Sequence, residues 1–439
     1  MPPPKTLQAF LATARAALTA PPSKGPKPLH FVVGNESADL DSLCSALFLA
    51  YIRTHSPPHT LHIPLCHLPR DDLSLRPEFA AVLKYAAVTP DDLLTLSELP
   101  PTGANGLEPE DTHWLLVDHN VMTGELGRRF GNRVVGCIDH HDDEGKVPAD
   151  ATPRVIEKCG SCMSLIVEQC GEAWEALAKR EDDSSSSSSG NVNSNGNVNG
   201  SQDALRVNSQ LAYLALAPIL VDTLNLGNKD KTTAHDERAV EIAEAHVRAG
   251  SDEGGDGGGY DRGAFFAEVE ALKEDVSYMS FRDIFRKDYK EWDVGGEGGS
   301  GLKLGTSSAP ISFASLARKA GDEGKFAEEL RRWCEEKDMD VMVLLTTSKD
   351  GDDDGGSGEF RRELLVWARG GERVVGAVKA FVENGGKEKL GLDTWGEGKL
   401  DLEDDKDGWR RCWTQAKVEY SRKQIAPMLR EALKGVKKG

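Results

Sequence analysis

At 439 residues, 39% of them hydrophobic, the chain is too long for one ordinary core and long enough for two. A formal charge of −19 excludes a general nucleic-acid coat, which needs many Lys and Arg on one face, yet leaves room for a polyanionic substrate wherever basic residues gather. No apolar run approaches the roughly 18–20 residues that span a bilayer, so no membrane partner is expected.

The first segment, "MPPPKTLQAFLATARAALTAPPSKGPK", is basic and free of acids, as a mitochondrial targeting sequence would be. It reads better as an amphipathic helix ended by "PP", which leaves a cytoplasmic location as the expectation and mitochondrial targeting as the minor alternative. "HFVVG" (30–34) is a short apolar run, and "SLCSALFLAYIRTH" (42–55) has helical spacing. "HWLLVDHN" (113–120) and "RVVGCIDHH" (133–141) are short apolar runs ending in acids and histidines. "SCMSLIVEQCGEAWEALAKR" (161–180) and "QLAYLALAPILVDTLNL" (210–226) are long enough to be helices. Between them, "EDDSSSSSSGNVNSNGNVNGSQD" (181–203) has nothing to bury and is expected to be a disordered insert.

"GSDEGGDGGGYDRG" (250–263) has the composition of a linker, which predicts domains at 1–249 and 264–439. The second would hold a helix over 264–276, strands over 340–348 and 362–369, and a final helix from about Arg422. The fold class is therefore α/β: a mostly parallel sheet flanked by helices, then a smaller mixed α/β domain. The eight cysteines lie mostly in apolar runs, and Cys159-x-x-Cys162 has no second pair at a zinc-ribbon distance, so free, reduced thiols are expected.

In an open parallel sheet, ligands bind beyond the carboxyl ends of the strands. Three predicted strands end in polar residues there: Asn35, Asp39 and Asp41 after the first, Asp118 and His119 after "LLV", and Asp139, His140 and His141 after "GCI". A single such carboxylate is ordinarily a helix cap or turn residue. All of them on one edge point to divalent magnesium, manganese or iron, and more acids than one octahedral site needs suggest two ions sharing a carboxylate. Paired metals are a recurring device for attacking phosphate esters and anhydrides, because they acidify a bridging water and neutralise the developing charge. Asp222 lies in an apolar helical stretch, where an unpaired carboxylate is costly and a ligand role explains it. Arg422 and Lys423 begin a helix, where cations oppose the macrodipole; a solvated pair is the ordinary reading, and a bound anion the functional one. "GSCMS" (160–164) starts a helix after a glycine, so amides around Ser161 could meet phosphate or simply be capped.

"NESADLDS", "LLVDHN", "CIDHH" and the aspartate of "PILVDTLNL" resemble, in order, the four motifs of the DHH phosphoesterase superfamily. "RKDYKEW" (286–292) and "EYSRKQIAPML" (419–429) resemble the phosphate-gripping motifs of the DHHA2 domain. "LPRDDLSLRPEF" (68–79), Asn35 in place of a histidine, and the chain length point more narrowly to the fungal cytosolic exopolyphosphatases. The resemblance spans nearly the whole chain outside the low-complexity segments.

It implies an exopolyphosphatase that releases terminal orthophosphate from inorganic polyphosphate in an interdomain cleft, using two divalent ions, Mg2+ or Mn2+, and a hydroxide between them. Asp41, Asp118, His140 and Asp222 would hold one ion and Asn35, Asp39 and Asp118 the other, with Asp118 the bridge. His141 would be the acid for the leaving phosphate and Asp139 the partner that orients an imidazole. Arg422, Lys423 and Lys290 would grip phosphates, with His119 and Ser161 as further contacts, and Arg70, Arg76, Arg282, Arg286 and Lys287 would lead a long anion away. Asn35, a neutral amide where pyrophosphatases have imidazole, should harden the site toward magnesium. A monomer is expected, with no nucleic-acid partner. The rivals are an inorganic pyrophosphatase, a nucleotide phosphodiesterase or nucleoside polyphosphate hydrolase, and a prune-like interaction scaffold.

Overall fold

The apolar runs of the first part form one all-parallel sheet in the computed structural model, which describes residues 6–21, 25–101, 106–184, 199–251, 259–295, 301–349, 359–404 and 406–437. The chain divides into two units, Met1–Lys273 and Glu274–Gly439. In chain order the first unit contains α1 (Leu7–Thr19), β1 (Leu29–Val33), α2 (Leu40–His55), β2 (His62–Leu65), α3 (Pro77–Tyr85), β3 (Thr112–Val117), α4 (Gly124–Phe130), β4 (Val134–Asp139), β5 (Arg154–Ile156), α5 (Cys162–Ser184), α6 (Asn199–Asp222), α7 (Ala234–Ser251) and α8 (Arg262–Glu274).

The strand order is β2-β1-β3-β4-β5, every neighbouring pair parallel. The chain leaves β1 in one direction for β2 and returns on its other side for β3, so the order reverses between β1 and β3. That reversal opens a crevice at their carboxyl ends, where loops diverge to opposite faces. Both faces of the sheet are covered, which is why β1 and β3 read as unbroken apolar runs. Phe31 and Trp114 stack across these strands at 4.4 Å between ring centroids, and both are fully buried. Each such side chain contributes about 2–3 kcal/mol by leaving water.

β2 escapes the sequence reading because Pro64 interrupts "HIPL". Pro64 is tolerated since β2 is an edge strand, where a residue without an N–H can face away from the ladder. Its neighbour of the same orientation, His62, sends its N–H to Thr54 Oγ1 at 2.9 Å instead of to another strand. Two other expectations shift. α5 continues to Ser184 and α6 opens at Asn199, so the disordered insert expected over 181–203 lies mostly outside the described residues. Half of the expected linker over 250–263 also lies outside them, and the helix after it, α8, groups with the first unit because Phe265 and Val269 bury in that core.

The second unit contains α9 (Phe281–Lys287), β6 (Tyr289–Val294), β7 (Leu302–Ala309), α10 (Phe313–Ala320), α11 (Glu323–Lys337), β8 (Val341–Lys349), β9 (Phe360–Ala368), α12 (Glu372–Phe381), α13 (Lys387–Leu390), β10 (Leu392–Thr394), β11 (Leu402–Asp404), β12 (Gly408–Gln415) and α14 (Arg422–Leu433). Its sheet runs β10-β12-β9-β8-β7-β6, with β11 also on β12; β7 and β8 are parallel and the other pairs antiparallel. Ile425, Leu429 and Leu433 of α14 bury with Leu304, Val343 and Val366 of this sheet. All eight cysteines are free, seven of them buried. Among the described residues, no helix is long and apolar enough to cross a membrane.

Candidate metal centre

Three loops meet at the reversal between β1 and β3. The first leaves β1 through Gly34, where a β-carbon would come within 2.9 Å of the Ser42 Cα, so only glycine allows α2 to approach. Asp39 then caps α2, accepting the Ser42 N–H at 3.0 Å, and Asp41 follows in the first turn. The second loop is Asp118 itself. It turns sharply after β3 with φ of +60°, a left-handed conformation that a non-glycine residue holds at a cost of order 1–3 kcal/mol. The third is Asp139-His140-His141 at the end of β4.

Asp118 is the centre of the cluster and only 2% exposed. Its Oδ2 accepts from Asn35 Nδ2 and Ser42 Oγ, both at 2.8 Å. Its Oδ1 lies 3.3 Å from His140 Nε2 and 3.8 Å from His141 Nδ1. Ligand atoms of Asp118, His140 and His141 all fall within 4.8 Å of one another, and no other set of three does so among the described residues.

The histidines are oriented by their second nitrogens. His140 Nδ1 lies 3.1 Å from the Cys159 carbonyl oxygen. A carbonyl only accepts, so Nδ1 carries a proton and Nε2 is the nitrogen turned toward Asp118. His141 Nδ1 lies 2.7 Å from Asp139 Oδ1, which leaves its Nε2 unengaged by that bond. Asp139 also accepts the His140 N–H at 2.8 Å and Asn120 Nδ2 at 2.5 Å. Burial opposes its ionisation, yet the bond and charge of His141 together with Asn120 hold its carboxyl well below the usual range.

Asp41 completes the acidic wall. Its Oδ2 accepts from Cys162 N at 2.7 Å, and its Oδ1 from Met163 N and Ser45 Oγ, each at 3.1 Å. Burial and the charges of Asp118, Asp222 and Asp39 raise its carboxyl well above the usual value, while His140 pulls the other way. Asp222, half-buried, ends α6, and the turn after it holds Leu224, Asn225 and Leu226 in left-handed conformations. A crowd of acids this poorly matched to one another, with imidazole beside it, suits divalent cations, so the donor set fits the expected metal.

Four sets of expected site residues already engage partners within the fold. Asn35 Oδ1 accepts the Ser37 N–H at 2.8 Å and its Nδ2 lies on Asp118, so in this arrangement Asn35 acts as a donor to the central carboxylate. Ser161 sits at the start of α5, but the amides there are occupied. Asp236 accepts from Gly160 and Ser161 at 2.9 and 3.2 Å, and Asp41 from Cys162 and Met163. His119 Nδ1 lies 2.9 Å from the Val117 carbonyl oxygen, which fixes the orientation of its ring.

The presumed anion track is also engaged elsewhere. Arg76 is buried and donates to the Ser37 and Ala38 carbonyls. Arg70 pairs with Glu98, Arg282 with Glu336 and Arg286 with Asp283, while Lys287 is buried.

Ser42, Asn120 and Arg76 are the residues that sequence reasoning passed over as site builders. Ser42 and Asn120 end quoted motifs, which was the available signal; nothing in the sequence told that Arg76 clamps the loop between Asn35 and Asp39.

In the second unit, Arg422 opens α14 and binds Asp288 through Nη2 to Oδ1 at 2.7 Å and Nη1 to the carbonyl oxygen at 2.9 Å. Asp288 immediately precedes β6, which carries Lys290, so the two basic motifs adjoin. Lys423 is exposed beside Arg422.

The profile described as the DHH family, N-terminal domain, matches residues 30–188, and that of the DHHA2 domain matches residues 267–432. A Schizosaccharomyces pombe protein named by inference as an exopolyphosphatase is 30% identical over 407 residues, 92% of this chain and 91% of its own. Exopolyphosphatase PRUNE1 of Bos taurus is 23% identical over 431 residues, 97% of this chain and 79% of its own. A crystal structure of a Methanococcus jannaschii protein assigned as a family II inorganic pyrophosphatase aligns with a TM-score of 0.50 at 18% identity. It covers 92% of this chain and 99% of its own, and shares the fold. The chain therefore belongs to the DHH family, with a DHHA2 domain as its second part.

Proposed function

We propose that this chain is a divalent-metal-dependent hydrolase of phosphoanhydrides that removes the terminal orthophosphate from inorganic polyphosphate. One observation carries the reading: Asp118, His140 and His141 converge within 4.8 Å at the carboxyl edge, in a chain whose relatives over nearly its full length are named exopolyphosphatases. Asp39, Asp41, Asp118, His140 and Asp222 are the residues to hold Mg2+ or Mn2+, two ions in all, with Asn35 bracing Asp118. Such ions acidify a water and offset phosphoryl charge when bound.

The residues themselves supply the rest. Hydrolysis forms a bond from phosphorus to a water oxygen and breaks the bridging P–O bond, whose leaving oxygen needs a proton. His141, held at Nδ1 by Asp139, is the group to deliver that proton from Nε2. Arg422 offers a planar fork to phosphate oxygens, and Lys423 and Lys290 offer point charges.

The test is phosphate release from pyrophosphate, tripolyphosphate and long polyphosphate, with Mg2+ and with Mn2+ after metal stripping. The reading expects both polyphosphates to be cleaved faster than pyrophosphate, and magnesium to support the higher rate. Release from pyrophosphate alone would assign the chain to the pyrophosphatases. No release from any of the three would end the proposal.

A further inference from the structure

The short stretch from Cys159 to Cys162 touches three of the candidate metal ligands, yet neither cysteine belongs to the cluster of ligand atoms. The Cys159 carbonyl oxygen receives His140 Nδ1 at 3.1 Å, and the Cys162 N–H goes to Asp41 Oδ2 at 2.7 Å. The Cys162 side chain reaches the third. Its Sγ lies 3.2 Å from Asp118 N and 3.2 Å from the Ile138 carbonyl oxygen. An amide N–H only donates and a carbonyl only accepts, so the sulfur accepts from Asp118 and turns its own proton to Ile138. Cys162 is fully buried. The Cys159 thiol donates to the Ser161 carbonyl oxygen at 2.9 Å, which ties the stretch to itself.

The backbone that this thiol meets is the strained one. The Asp118 N–H makes the last rung between β3 and β4, to the Ile138 carbonyl oxygen at 3.1 Å, and the chain then turns at φ of +60°. A non-glycine residue keeps such a turn only where its surroundings fix it. The Asp118 carbonyl oxygen accepts from Asn35 Nδ2 at 3.2 Å, so the loop after β1 holds one side of the turn. On the other, the N–H is shared between Ile138 and Cys162, and Cys162 opens α5. A small apolar side chain would fill the same space. It could use neither the donor nor the acceptor that both stand 3.2 Å from the sulfur.

We propose that Cys162 is a positioning residue of the metal centre: its thiol fixes the Asp118 turn and its N–H fixes Asp41, so that both carboxylates are aimed before an ion binds. The inference rests on the metal-centre part of the hydrolase reading above and deepens it.

Its test is Mg2+ binding to the metal-stripped full-length protein by titration calorimetry, in variants that separate hydrogen bonding from packing. Cys162→Ser and Cys162→Ala remove nearly the same volume, and only the serine keeps a donor and an acceptor. The alanine variant should bind Mg2+ about tenfold more weakly than the parent, and the serine variant within about threefold of it. Hydrogen exchange without metal gives a second readout: the Asp118 amide should exchange about tenfold faster in Cys162→Ala than in Cys162→Ser. Should the lost volume unfold both, Cys162→Thr and Cys162→Val, which share one shape, make the same comparison. Equal weakening within a pair assigns Cys162 to packing and overturns the proposal, as does parental Mg2+ affinity in Cys162→Ala or a parent that binds no Mg2+. Mg2+ binding that depends on the residue-162 hydroxyl or thiol, in a protein that releases no phosphate from polyphosphate, would sink the polyphosphatase reading and leave this assignment standing.

Discussion

At the amino-terminal edge of the parallel sheet, His62, His30 and His113 stand in register on β2, β1 and β3, with ring centroids 5.4 and 5.0 Å apart. At the carboxyl edge His140 and His141 lie 4.6 Å apart. The first group looks as much like a cluster as the second. What differs is the company. Burial, then neighbouring histidine and the Arg53 guanidinium, lowers the His30 pKa; burial and Arg133 lower that of His113. His62 is pushed down to about 4, mainly by burial. Those rings are neutral packing groups. At the other edge, a carbonyl and a carboxylate engage Nδ1 of the two rings, which turns His140 Nε2 toward Asp118 and leaves His141 Nε2 outside its bond to Asp139. Imidazoles become a candidate centre through the acids that orient them, and proximity to one another is not enough.

Substitutions at the two edges should therefore fail in different ways. The largest effect is expected at Asp118: Asp118→Ala should lower magnesium-dependent phosphate release from tripolyphosphate by about a thousandfold or more. An unchanged rate would remove the carboxyl edge from the chemistry. His140→Ala should weaken Mg2+ binding about 10–100-fold with little change in melting temperature. His62→Gln should do the reverse, leaving Mg2+ affinity alone.

A pH series sharpens the contrast. A histidine with a depressed folded pKa binds fewer protons folded than unfolded, so its contribution to stability is complete above pH 6.5 and fades as pH falls toward about 4. For His62 the effect amounts to ~3 kcal/mol at most. The melting temperature of the metal-free protein should fall across that window, less steeply in His62→Gln. Parallel curves would show that this edge is not what titrates. The smallest effect is expected at Ser42, where Ser42→Ala removes the hydrogen bond to Asp118 and the acceptor of the Asn35 N–H and should cost about 1–3 kcal/mol in denaturant unfolding.

Much of this was legible in advance because a parallel sheet writes itself plainly: apolar strands, then polar residues at their carboxyl ends. Asp118, Asp139, His140 and His141 fall where that pattern puts them. The helix expected over 161–180 was legible too, but not the use of its first amides. Their partners, Asp41 and Asp236, lie 121 and more than 70 residues away in sequence. Such pairings are set by tertiary packing, and no local spacing announces them. Arg76 shows the same limit. A sequence reader sees a cation near a putting-out loop of acids and assigns it to substrate, whereas the fold spends it on the Ser37 and Ala38 carbonyls. Asn35 was singled out as a metal ligand with a neutral amide in place of imidazole, and no sequence spacing announces that its Nδ2 faces Asp118.

β2 has one further consequence. The outermost strand of a sheet is ordinarily a template on which another chain can assemble, because its outward N–H groups seek acceptors. Here the outward row has no donor to offer: Thr54 takes the one from His62, and Pro64 has none. Growth of the sheet by strand addition is closed along this border. A strand added here would find only carbonyl oxygens to pair with, until local unfolding released the His62 N–H from Thr54.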